Sequence, residues 1–156
     1  FIFQHIAGLD MADGYPAWSR LRVKPQAVLV PDWLAEQVPS ASVQLDSYVG
    51  RIAVAWRRVM NDTVSSTTAS TMQGLELNMT VPPSSSAEVF VPMVGQNNDN
   101  SAVTLTINGI TVWEAEAQVE SVEGILSIAR AEDDPAYVRV ETAGGAFHFL
   151  TASSSQ

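Results

Sequence analysis

The chain of 156 residues contains no cysteine. Disulfides and thiolate metal sites are thereby excluded, and the redox compartment is left open. Long hydrophobic runs are missing as well. No stretch approaches the roughly 20 apolar residues that span a bilayer as a helix, and no signal-peptide pattern is visible. Basic residues are scarce: 8 Lys and Arg stand against 17 Asp and Glu, for a net charge of −9. That balance argues against nucleic acid or an anionic membrane as partner, and suits a neutral ligand or plain solubility. Neither a dinucleotide-type nor a P-loop glycine motif occurs. The first residue is Phe1 rather than Met, so the N-terminus reads as processed or incomplete.

What the chain has in quantity is β-signal. Residues 102–107 (AVTLTI) and 110–115 (ITVWEA) flank Asn108-Gly109, a pair that tolerates the positive φ of a type I′ hairpin turn. Val103, Leu105 and Ile107 point one way, and Thr104 and Thr106 the other. Leu75, Leu77, Met79 and Val81 alternate with polar residues, and Ile52, Val54 and Trp56 share a face. Residues 43–48 pair with 50–60. Further strands fall at 19–24, with Arg20, Arg22 and Lys24 on a basic outer face, and at 27–30, 87–91, 124–130, 137–141 and 146–151, the last two joined by a turn at Gly144-Gly145. Residues 1–9 (FIFQHIAGL) read as the last turns of a helix capped by Gly8. Residues 10–16, 61–71 and 96–101 read as polar loops, and 32–37 as a single helical turn. The fold class is therefore all-β: an antiparallel, jelly-roll-like β-sandwich preceded by a short helix remnant. Residues 1–18 form the helix end and linker, 19–151 the sandwich and 152–156 a polar tail.

Chemistry is harder to find. His5 and His148 are far apart and lack a second ligand at metal spacing. His148, between Phe147 and Phe149, is expected to face outward as a hydrogen-bonded strand residue. No serine sits in a nucleophile elbow. Glu114, Glu116, Glu120 and Glu123 lie close in sequence, Glu114 and Glu116 on one strand face opposite Trp113, and two carboxylates suffice for glycoside hydrolysis. Solvated carboxylates are the plainer expectation. Oxygen-rich residues 96–100 and Asp133-Asp134 are candidates for a structural calcium, although no EF-hand loop is present. No other cofactor and no catalytic residue is expected. Tyr15 and Trp18, beside Arg20, are candidate carbohydrate contacts, with packing against a neighbouring domain as the alternative. Trp56 is expected in the core. Asn61-Asp62-Thr63 and Asn78-Met79-Thr80 are sequons, which makes Asn61 and Asn78 glycosylation candidates in a secreted eukaryotic setting.

The order of the segments resembles the C-terminal region of bacterial-type α-L-rhamnosidases, glycoside hydrolase family 78. The family's helix cap is similar to Ala7-Gly8-Leu9, its Pro-Gly-aromatic element to Pro16-Ala17-Trp18, and the strand that follows to residues 20–25. Tyr48, Gly50 and Trp56, then Val81-Pro82-Pro83, Ala87 to Pro92, and Gly145 to Phe149 resemble the later motifs in order. Ala17 stands where the family usually has Gly, and Val49 interrupts its Tyr-Gly pair.

The resemblance implies a non-catalytic β-sandwich that supports an (α/α)6 barrel lying upstream, in a parent protein that is an inverting glycoside hydrolase. The barrel would hold the catalytic carboxylates. The alternatives are a carbohydrate-binding module, or an extracellular module that assembles through the apolar residues Phe1 and Phe3; a hydrolase using the acids at 114–123 is a third. An extracellular or secreted setting is favoured.

Overall fold

The computed structural model describes residues 3–25, 37–60, 72–93 and 103–153. They form two packed sheets. The order of the five-stranded sheet is β1-β2-β6-β11-β10, and that of the seven-stranded sheet is β3-β4-β5-β12-β7-β8-β9. The bounds are β1 Leu9–Met11, β2 Arg20–Val23, β3 Ser40–Ser47, β4 Gly50–Met60, β5 Met72–Val81 and β6 Ser86–Pro92. They continue with β7 Val103–Ile107, β8 Ile110–Glu114, β9 Ala117–Gln118, β10 Ile125–Arg130, β11 Tyr137–Thr142 and β12 Gly145–Ser153.

Alternation in sequence becomes the core directly. The apolar members of β5, Leu75, Leu77, Met79 and Val81, are all buried, as are Ile52, Val54 and Trp56 on β4. From the opposite sheet Leu21, Val23, Val89, Val91, Val138 and Val140 meet them in one hydrophobic cluster. Each such side chain contributes about 1.5–3 kcal/mol on full burial. The chain passes back and forth between the sheets. β1 and β2 lie in the smaller sheet, β3 to β5 in the larger, β6 in the smaller, β7 to β9 in the larger, β10 and β11 in the smaller, and β12 in the larger. One consequence is a parallel pair, β2 beside β6. Strands this far apart in sequence, with three strands of the other sheet between them, have the long crossover that parallel pairing requires.

The 108–109 turn has the expected geometry, with φ of 50° at Asn108 and 83° at Gly109. The N-terminal segment differs from expectation. Phe3–Ala7 winds as a π-helical turn, and Leu9–Met11 is a strand rather than part of a linker and loop. Gly8 does reverse the chain, at φ 76°, and its carbonyl accepts a hydrogen bond from the Lys24 N–H at 2.7 Å. That bond ties the turn to the end of β2, so β1 joins the sheet at once. The π-turn is itself anchored by the Trp56 indole N–H, which donates to the Ile6 carbonyl at 3.2 Å. At the other end β12 runs on through Ser153, into what reads from sequence as a polar tail. The expected pieces at 27–30 and 61–71 and the loop at 96–101 lie outside the described residues, as does nearly all of the 32–37 turn.

Candidate functional site

The outer face of the five-stranded sheet holds a polar cluster. Alternation along β2 sends Leu21 and Val23 into the core and Arg20 and Arg22 outward. On the neighbouring strands Glu88 and Glu141 are register partners. Arg22 Nε donates to Glu88 at 2.7 Å, and Arg139 Nη2 donates to Glu88 at 3.0 Å and to Glu141 at 2.7 Å. Arg20 Nη2 donates to Glu141 at 2.7 Å and lies 3.7 Å from Glu88. The Ser127 hydroxyl completes the shell of Glu141 at 3.1 Å. Only 8% of the Glu88 side chain is exposed. Burial by itself would raise its carboxyl, but the hydrogen bonds from Arg22 and Arg139 outweigh that and hold it below the usual carboxylate range.

Of Tyr15, Trp18 and Arg20, the structure brings Tyr15 and Arg20 into contact. The Arg20 guanidinium lies 5.0 Å from the centre of the Tyr15 ring and donates to its hydroxyl at 3.0 Å. Tyr15 is half-exposed, while Trp18 is partly buried and packs against the core. The loop that carries them is strained: Ala17 and Trp18 have φ of 44° and 64°, a region costly for residues with a Cβ. Three hydrogen bonds hold it. The Tyr48 hydroxyl donates to the Ala17 carbonyl at 2.9 Å, the Ser85 hydroxyl to the Trp18 carbonyl at 3.0 Å, and the Ser86 N–H to the Ser19 carbonyl at 3.1 Å. Tyr48 is itself 77% exposed and lies in the turn between β3 and β4. Sequence reading passed over Tyr48, Glu88 and Arg139 as site residues. The outward alternation of β2 was a visible signal for its arginines, but their carboxylate partners are set by register.

The remaining candidates stay apart. His148 faces outward as expected, with its Nε2 2.9 Å from Glu76 Oε1. Hydrogen bonds from His148 and then Arg57 lower the Glu76 carboxyl. Glu114 and Glu116 do not share a strand face. β8 ends at Glu114, and Ala115 and Glu116 form a turn with φ of 50° and 66°, so Glu116 swings back to pair with Arg130. Glu120 and Glu123 are exposed, and Trp113 is buried under the Arg130 guanidinium. Asp134 pairs with Lys24 at 3.7 Å and accepts from the Ala136 N–H at 3.2 Å. Among the described residues no three His, Cys, Asp or Glu side chains gather as a metal site. Residues 96–100 and Asn61 lie outside the described residues. Asn78 is exposed on β5, while His5 falls within the π-turn.

Two packed sheets, one of them faced by a buried carboxylate locked among arginines, define a β-sandwich domain. Its family follows from comparison. The description "Bacterial alpha-L-rhamnosidase C-terminal domain" matches residues 8–105, and the chain belongs to that family. Among solved structures, an α-L-rhamnosidase from Dictyoglumus thermophilum aligns with a TM-score of 0.67 at 17% identity, over 97% of this chain and 13% of that one. The Streptomyces avermitilis α-L-rhamnosidase complexed with L-rhamnose aligns with a TM-score of 0.55 at 21% identity, over 96% of this chain and 10% of that one. At these identities the likeness is one of fold. No curated protein matches the chain.

Proposed function

We propose that this chain is the non-catalytic, supporting β-sandwich of an α-L-rhamnosidase-like glycoside hydrolase. The acid–base chemistry would belong to an upstream (α/α)6 barrel of the parent protein. The family match over residues 8–105, described as a C-terminal domain, carries this reading, and the state of the Glu88 carboxylate agrees with it. Inverting hydrolysis needs one carboxyl kept protonated near neutral pH by a raised pKa. Glu88, which has a second carboxylate beside it in Glu141, is held in the opposite direction by its arginines. Glu76 is likewise lowered. Membership of a family described as a C-terminal domain supports the reading, as does the small share of each rhamnosidase chain that this one covers.

The end of the sandwich carrying Tyr15 and Tyr48 is the surface we assign to the barrel. Both rings are exposed, and both hydroxyls are tied down by hydrogen bonds, to Arg20 and Ala17. Aromatic side chains fixed in this way make contact at little cost in entropy. The test is an assay of the isolated chain on an aryl α-L-rhamnoside. The expected result is no hydrolysis above buffer, and enzyme-like turnover would sink the proposal.

A further inference from the structure

The outer face of the seven-stranded sheet holds a trough. Register places Ser42, Ala55, Asn78 and His148 in one cross-strand row. Gln44, Ala53 and Thr80 form the next row. Between Arg51 and Arg57 on β4, therefore, only the methyl groups of Ala53 and Ala55 stand up from the sheet, while β3 and β5 raise longer hydroxyl and amide side chains on either side. The walls lie two strand spacings apart, roughly 10 Å, and the two rows are roughly 7 Å apart along the strand. The cavity measures about 410 Å³, within the ordinary range of small-molecule sites. A smaller cavity of about 220 Å³ continues it toward Arg57 and Glu76, sharing Ser42, Ala55 and Asn78.

The chemistry of the trough narrows what can fill it. The residues lining the larger cavity include no Asp, Glu, Lys or Arg, in a chain of net charge −9. An anion finds no unpaired base, because His148 in the lining and Arg57 at the end both face Glu76. A cation finds no carboxylate in the cavity. β4 is bonded to β3 on one side and to β5 on the other, so an extended peptide lying over β4 meets no open backbone edge, the edge of the sheet being the far side of β3. Recognition is left to neutral side chains above an apolar floor. A pyranose ring matches this, with its C–H groups on the methyls and its hydroxyls on the amides and hydroxyls of the walls.

We propose that this trough binds a neutral saccharide lying along β4, with Ala53 and Ala55 as floor and Gln44 and Asn78 as the principal hydrogen-bonding walls. Asn78 also begins the sequon Asn78-Met79-Thr80, and a glycan on it would occupy the same space. The chain for the test is therefore made without N-glycosylation.

The experiment titrates the chain with neutral gluco-, xylo-, manno- and rhamno-oligosaccharides, with polygalacturonate as the charged control, while following side-chain amide signals by NMR. At least one neutral saccharide should shift Gln44 and Asn78. Gln44→Ala and Asn78→Ala should each weaken binding about tenfold, the loss expected for one well-made hydrogen bond. Ala55→Arg, checked for an unchanged melting temperature, should abolish binding by filling the trough. The proposal is overturned if no neutral saccharide moves these amides at millimolar concentration. It is also overturned if polygalacturonate binds as well as the neutral sugars, or if the shifts gather at Tyr15 and Tyr48 and survive Asn78→Ala.

Discussion

Glu88 and Glu141 face each other across β6 and β11, and one arginine, Arg139, bonds both carboxylates, at 3.0 and 2.7 Å. Two like charges side by side would repel by themselves. Arg20 and Arg22 close the cluster from β2, so each carboxylate is paired by arginines brought from other strands on one sheet face.

Glu88→Gln should destabilise the chain by about 2 kcal/mol, because it leaves a mostly buried charge network without its central anion. Urea denaturation measures this. The variant also has a pH signature. The folded-state pKa of Glu88 is depressed, so its stabilisation is complete above the ordinary carboxylate range and is lost as pH falls through the folded value. Wild type should therefore lose stability on acidification below about pH 4.3 more steeply than Glu88→Gln. Parallel acid limbs would rule out Glu88 as a source of that loss.

Ala17→Gly should stabilise. The left-handed conformation at φ 44° costs an alanine on the order of 1 kcal/mol that glycine escapes. Part of this gain is offset by the greater freedom of glycine in the unfolded chain, leaving roughly 0.5 kcal/mol. Ala17→Val should destabilise by more than glycine gains. Thermal melts of the two variants would move in opposite directions, and a lower melting temperature for Ala17→Gly would contradict the account.

Thr142→Val should also stabilise, by about 1 kcal/mol. The Thr142 side chain is fully buried on β11, and its hydroxyl has no hydrogen-bond partner among the described residues. A buried hydroxyl in that state carries a desolvation cost, and valine keeps the shape without it. A loss of stability in the variant, measured by denaturant titration, would mean that the hydroxyl is satisfied in solution.

Gly8→Ala should cost at least about 3 kcal/mol. The backbone there has φ 76°, and an added Cβ would lie 2.1 Å from the Lys24 carbonyl oxygen. Relief requires β1 to move off β2. Hydrogen exchange should show Leu9–Met11 losing protection first, and a variant as stable as wild type would refute the close approach.

The elements were legible where the signal is local. The alternation of β5, the Asn108-Gly109 turn and the pairing of β3 with β4 all follow from neighbouring residues, since side chains alternate between faces and turns depend on a few φ values. The failures have an equally local cause. Residues 1–7 are a largely apolar run followed by Gly8, which suits a helix cap, yet the bond from Lys24 to Gly8 draws Leu9 into a sheet. Glu114 and Glu116 look like one face until the backbone turns at Ala115.

By itself the sequence determined an all-β chain, its buried faces and the absence of thiol and phosphate-loop chemistry, because periodicity and residue type act over a few positions. Only the tertiary structure decided which strands are neighbours. Glu88 lies 66 residues from Arg22 and 51 from Arg139, so their cluster exists only through register. The trough over Ala53 and Ala55 likewise depends on what β3 and β5 bring alongside β4. Long-range pairing places side chains on a common surface, and no local pattern in the chain encodes those neighbours.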